Sequence, residues 1–307
     1  MLIPAGFTQQ SVTTPLGAMV YYTATSPWLV PEIAQSPLPE LPKSAETLVF
    51  CHGFGGGSSA YEWSQVYPAF AGEARIVAPD LIGWGRSAHP SRRYRAEDYL
   101  TTLTSFLEQT CDRPATVVAS SLTAALIIRV AIQRPDLFRA LILTTPSGLS
   151  DFGEDYSRSL IAQVVTTPVV DRLLYQLGIA NPAGIQSFLA QRQFANSERI
   201  FPEIVSAYLA SAKEPQAEDA ALSFVRGDLC FDLARYVPQL TTPTAILWGE
   251  KSQFTSPELG RRLANLNPTA IRFFHPLAGV GLTPQLEQPA LTIALVRRYW
   301  SLLTGDV

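Results

Sequence analysis

The stretch Val117-Val118-Ala119-Ser120-Ser121-Leu122-Thr123-Ala124-Ala125-Leu126 carries the side chains best placed to do chemistry. An apolar run with β-branched residues ends in two serines, and an alanine-rich, helix-forming run follows at once. Strand, very tight turn and helix together hold a serine hydroxyl out at a strand end, beside a helix N-terminus. That is the geometry of a nucleophile elbow. The turn is crowded, so the residues two before and two after the nucleophile must be small. For Ser121 these are Ala119 and Thr123; for Ser120 they are the bulky Val118 and Leu122. Ser121 is the better register, and its competing role is that of a helix N-cap. Acyl transfer asks for more: a base, an acid behind the base, backbone donors for an oxyanion, and a pocket. The chain has only three histidines, His52, His89 and His275.

The other candidate chemistries are excluded by spacing. Gly53–Gly57 lacks the Lys-Ser/Thr ending of a phosphate loop. Gly83-x-Gly85 is too short for a dinucleotide fingerprint. The three histidines and the cysteines Cys51, Cys111 and Cys230 are dispersed, with no metal-ligand spacing, so no metal and no other cofactor is expected. A net charge of −3 without a basic stripe argues against nucleic acid as a partner. Sparse, odd-numbered cysteines read as reduced thiols. With no basic leader and no apolar run near the ~18 residues of a transmembrane span, a cytoplasmic protein is expected.

The elements that must position the serine are legible as alternating runs. Hydrophobic residues make up 47% and charged residues 16%, enough for a sizeable core. Phe7–Thr14 and Ala18–Thr25 flank Pro15-Leu16-Gly17 as an opening hairpin. Pro27, Pro31, Pro37, Pro39 and Pro42 mark 26–46 as an excursion without regular structure. Buried strands are expected at Thr47–Cys51, Arg75–Asp80, 115–119, Ala140–Thr144, Thr244–Trp248 and Ala270–Phe274. Helices are expected from about Ser58 to Phe70, at Glu97–Cys111, from the elbow to about Arg134, at Pro257–Leu266 and at Pro289–Leu303. Such alternation argues for an α/β fold with a mostly parallel sheet. Between 151 and 226 the pattern turns wholly helical: Leu160–Val165, Val169–Leu177, Ile185–Arg192, Ile204–Ser211 and Ala220–Phe224. The expected organisation is an α/β core of residues 1–150 and 227–307 with a helical cap of 151–226.

Five groups of residues carry a family resemblance. They are His52-Gly53-Phe54-Gly55-Gly56, Asp80-Leu81-Ile82-Gly83-Trp84-Gly85-Arg86-Ser87, Ala119-x-Ser121, Leu247-Trp248-Gly249-Glu250-Lys251, and Gly279-x-Gly281 with Pro284 and Glu287-Gln288-Pro289. In that order they resemble the α/β-hydrolase fold superfamily with a helical cap. They are similar to its esterases, its peroxidase-like hydrolases and its plastid-type chlorophyll-ester hydrolases. The resemblance implies a serine hydrolase type with Ser121 at the nucleophile position. It implies oxyanion donors at the N–H groups of Phe54 and Leu122, on a loop that Gly53, Gly55, Gly56 and Gly57 allow to approach closely. His52 becomes a structural histidine of that loop, and His89 a surface loop histidine.

The same resemblance implies a histidine in a Gly-x-Gly-His-x-Pro pattern, where this chain has Leu282. It implies an aspartate after Leu247–Lys251, where this chain has Ser252. Leucine cannot accept a proton, so Ser121 keeps an ordinary hydroxyl pKa. The two replacements agree with each other, because an acid has nothing to orient once the histidine is gone. Asp151 reads as a helix cap, Asp228 and Asp232 as capping or solvated residues, and Glu250 as a surface charge. The expectation is a degenerate catalytic triad: a weak or inactive hydrolase that binds a small apolar or ester-type (acyl) molecule in a cap–core cavity, or a protein partner. The alternatives are an active ester hydrolase in which His275 serves Ser121 as base, and a non-hydrolytic enzyme using the same cavity. Fold alone does not choose among them.

Overall fold

Runs that are apolar at every position need cover on both faces, and they build the centre of the sheet. The computed structural model describes residues 3–25, 45–153, 175–176 and 178–305. Its eight strands are β1 (Phe7–Thr14), β2 (Gly17–Ala24), β3 (Thr47–Cys51), β4 (Arg75–Pro79), β5 (Ala115–Ser120), β6 (Phe138–Thr144), β7 (Thr244–Gly249) and β8 (Ile271–Leu277). They lie in the order β1-β2-β4-β3-β5-β6-β7-β8. The β1–β2 and β2–β4 pairs are antiparallel and the rest are parallel. Strands β3, β5 and β7 are buried along their whole length. Alternate side chains go to opposite faces: Val49 and Val117 enter one apolar cluster, Phe50 and Val118 the other.

Helices α1 (Ala96–Thr110) and α2 (Ser121–Gln133) cover the first face. Leu295, Val296, Tyr299 and Leu303, all of the last helix, cover the second. Between β6 and β7 the described residues form α3 (Pro182–Phe188), one π-helical turn Leu189–Gln193, α4 (Pro202–Ala212) and α5 (Ala217–Val225). After β7 come α6 (Pro257–Asn265), a single turn α7 (Pro284–Glu287) and α8 (Pro289–Thr304). The helices expected at Leu160–Val165 and Val169–Leu177, and the proline-rich excursion, lie almost wholly outside the described residues.

One expected helix is absent as such. Residues 58–70 form two short 3₁₀ turns, Ala60–Trp63 and Tyr67–Phe70. Pro68 has no N–H to donate and its ring crowds the preceding turn, so the ladder cannot run through.

The chain winds outward from β3 to β4, then returns to β5 on the other side of β3. Ligands of open α/β sheets bind outside the strand ends at such a reversal. Here that places the β3 and β5 C-termini, with the glycine loop and Ser121, side by side. Asp80, just past β4, braces this corner from a fully buried position. Its carboxyl accepts from Ala60 N at 2.7 Å, Arg86 N at 2.8 Å and the Tyr22 hydroxyl at 3.3 Å. Burial pushes its pKa up to about 6, although these donors and the Arg86 charge pull the other way. Asp80→Ala should orphan the buried Ala60 N–H and remove an acceptor from the buried Tyr22 hydroxyl and from the part-buried Arg86 N–H, at roughly 1–3 kcal/mol for each buried group. We expect a loss of about 3 kcal/mol in urea unfolding; an unchanged midpoint would contradict the bracing role.

Candidate functional site

Ser121 is the first residue of α2 and takes φ = +56°, while Ser120 before it is still extended. A non-glycine residue in this left-handed region costs of order 1 kcal/mol and persists only where its surroundings enforce it. The enforcement comes from pairing. Cys51 of β3 is in register with Ala119 of β5, which sets the β3 loop against the turn. A Cβ added to Gly53 would lie 3.2 Å from Ser120 Oγ and 3.5 Å from Ser121 Cβ, so the loop packs closely against the turn here. Thr123, although β-branched, is accommodated fully buried in the turn, with its hydroxyl unpaired among the described residues.

The two expected oxyanion donors lie on the segments that follow β3 and β5, which pair side by side. Leu122 N–H is in the first turn of α2, where no intrahelical acceptor exists. Phe54 N–H has no acceptor among the described residues. The Phe54 ring is locked between Trp84, Tyr99 and Phe224 of α5, with centroids 5.3, 4.9 and 6.0 Å away, so the cap helps fix the backbone beneath it.

The three histidines sit in three different environments. His52 is fully buried. Its Nε2 accepts from Leu81 N at 3.0 Å, so its proton is on Nδ1, which donates to Gly53 O at 2.7 Å. Burial lowers its pKa to about 4, against a smaller opposite pull from the Gly53 carbonyl. His275 is level with Leu247, Thr144 and Ser120 across the sheet, three strands from the elbow. At about 4.8 Å per strand that is roughly 14 Å. Its Nδ1 is 2.8 Å from the Tyr299 hydroxyl of α8. The expectation that His275 could serve Ser121 is therefore corrected: its strand lies at the far edge of the sheet. His89 is not a plain surface residue either. The cap covers its loop through Gly85 N to Ser211 Oγ (3.0 Å) and Tyr94 N to Ser223 Oγ (2.9 Å). Burial lowers the His89 pKa, opposed by Glu214 and Asp219.

The loops of Leu282 and Ser252 are brought together. Lys251 N donates to Val280 O at 2.9 Å, and Glu250 N to Leu277 O at 3.1 Å. Leu282 is buried, and its N–H donates to Gln193 O of the cap at 2.7 Å. The Ser252 hydroxyl is buried and unpaired among the described residues. Glu287 ties this loop to the cap by accepting from Gly281 N at 2.8 Å and Asn196 N at 2.9 Å. Asp151 accepts from Ser147 Oγ at 2.6 Å and Leu233 N at 2.9 Å, joining the two ends of the cap segment. Asp232 caps the turn Leu233–Arg235, and Asp228 pairs with Arg93. No group of metal ligands occurs among the described residues.

Sequence reasoning missed Glu62. This carboxyl is fully buried and sits directly behind the glycine loop, with Oε2 accepting from Gly53 N at 2.9 Å. Its only sequence signal is a lone acid between two aromatics, Tyr61 and Trp63, in a turn with no readable apolar period.

Sheet, reversal point, left-handed serine and adjacent glycine loop define a hydrolase-type α/β protein. The chain matches the Alpha/beta hydrolase family over residues 48–295 and belongs to it. It is 25% identical over 242 residues to a haloalkane dehalogenase of Bradyrhizobium diazoefficiens, covering 72% of this chain and 77% of that one. It is 26% identical over 251 residues to the uncharacterized hydrolase YugF of Bacillus subtilis, covering 80% and 86%. Among solved structures, the epoxide hydrolase CorEH superposes with a TM-score of 0.75 at 18% identity, covering 97% of this chain and 99% of that one, and so shares the fold. No helix among the described residues is long and apolar enough to cross a membrane.

The His52 geometry predicts its titration. A depressed pKa means that His52 contributes stability fully above about pH 6.5, and that this is lost as pH falls toward 4. Going from 6.5 to about 4 corresponds to about 3 kcal/mol. Imidazole ¹⁵N shifts should show the neutral Nδ1–H form of His52 at pH 5.5. An imidazolium at that pH would contradict this assignment.

Proposed function

We propose that this chain binds a small apolar or acyl-type molecule between core and cap at Ser121, and hydrolyses it weakly or not at all. The observation that carries the reading is Leu282, a side chain with no proton acceptor where the resemblance calls for the imidazole. Ser252 at the acid position agrees with it. So do the placements of the three histidines: His52 has both nitrogens engaged, His275 is three strands away, and His89 is under the cap beside Glu214 and Asp219. The left-handed Ser121 and the unpaired N–H groups near it support a site that can still polarise a carbonyl. Such donors and binding alone leave about 10³–10⁴-fold over water in hydrolases that lose the triad. A relative named as a haloalkane dehalogenase supports a small-molecule ligand.

The test uses a fluorophosphonate probe and short aryl esters. Wild type should label slowly or not at all and turn esters over poorly. Leu282→His combined with Ser252→Asp should raise labelling at Ser121 by at least tenfold. Rapid wild-type labelling that vanishes in Ser121→Ala would overturn the reading in favour of a working ester hydrolase.

A further inference from the structure

The buried carboxyl behind the glycine loop does more than fill space. Glu62 Oε2 accepts from Gly53 N, the residue before the Phe54 donor, and a Cβ on Gly53 would stand 3.6 Å from that oxygen and 3.5 Å from Ser121 Cβ. Carboxyl and serine are thus within about 7 Å of each other by these two distances. Glu62 Oε1 lies 3.0 Å from the hydroxyl of Tyr208, on cap helix α4. The same hydroxyl is 3.0 Å from Gln193 Oε1, on the cap's π-helical turn, and shares its single proton between the two oxygens. The Gln193 backbone carbonyl in turn accepts from Leu282 N. One hydrogen-bonded path therefore runs from the glycine loop, through two cap residues, to the loop that holds the base position.

Two features show that this path is built rather than incidental. All of Glu62, Tyr208 and Gln193 are 2% exposed or less, so water cannot replace a broken link. Gly57, at φ = +93°, packs directly on the α4 backbone; a Cβ there would fall 2.2 Å from Tyr208 O. Ser211, one turn on along α4, adds a parallel tie by donating to Ser58 O at 3.1 Å. Burial raises the Glu62 pKa, and the flanking Ser58, Gly53, Tyr208 and Gln285 groups only partly oppose it.

We propose that Glu62 and Tyr208 are positioning residues that lock the glycine loop, the cap and the Gly281–Thr283 loop into one unit, so that the Phe54 donor is held against Ser121 only when the cap is seated. The lock works through hydrogen bonds and not through charge. Its importance to function rests on Ser121 being the centre of the site.

Hydrogen exchange read by mass spectrometry on the full chain, without ligand, tests the lock. Tyr208→Phe keeps the ring and its packing and removes only the hydroxyl. It should raise exchange about fivefold, the worth of one net hydrogen bond, in three separate segments together: 53–58, 189–196 and 279–283. Glu62→Gln retains an acceptor for Gly53 N–H and a polar partner for Tyr208, and should behave as wild type. Glu62→Leu should reproduce the Tyr208→Phe pattern. The proposal is overturned if Tyr208→Phe changes exchange only within α4 or nowhere, or if Glu62→Gln loosens the segments as much as Glu62→Leu does. Because exchange needs no reaction at Ser121, failure here leaves the functional reading standing. A failure of that reading in the labelling experiment likewise leaves the exchange result intact.

Discussion

A serine in the left-handed backbone region, at the seam where the sheet reverses its winding, is the constraint on which the rest depends. The conformation is costly for a side chain with a Cβ, and nothing local to residues 119–123 repays it. It is held because β5 is clamped between β3 and β6 and because the β3 loop presses Gly53 against the turn. Asp80 then fixes that loop from behind, by taking up the N–H groups of Ala60 and Arg86. Sheet order, loop approach and brace all serve one short turn.

The cap meets this corner in two physically different ways. Ile185, Leu189, Ala207 and Phe224 extend the apolar cluster of one sheet face, a non-directional contact that excludes water. Tyr208, Gln193 and Ser211 supply directional contacts whose partners lie on separate loops. Burial makes each of these bonds costly to leave unmade.

Relatives over most of the chain's length bear the names of hydrolases, and the folds of solved hydrolases superpose along nearly all of it. Against this background Leu282 and Ser252 stand out as polar-to-apolar and charged-to-neutral departures from what the resemblance implies. The loops that carry them are nonetheless tightly stitched to each other and to the cap, so the scaffold around the position is intact.

The local code determined a good deal. Thr47–Cys51, Arg75–Pro79 and Thr244–Gly249 are largely apolar runs bounded by turn residues, and each became an interior strand of the sheet within a residue of its expected ends. Ser121 was legible because the size rule at 119 and 123 depends only on neighbours in sequence. Tertiary structure decided what neighbours in sequence cannot. Pro68 split one expected helix into two turns. The cap drew His89 out of solvent, and strand order put His275 at the far edge of the sheet. Glu62 and Tyr208 are 146 residues apart, and nothing in either segment names the other. Periodicity records which side of an element is dry, since that follows from one residue's own solvation. Which buried donor meets which acceptor is set by packing the whole chain, and only the folded molecule holds that information.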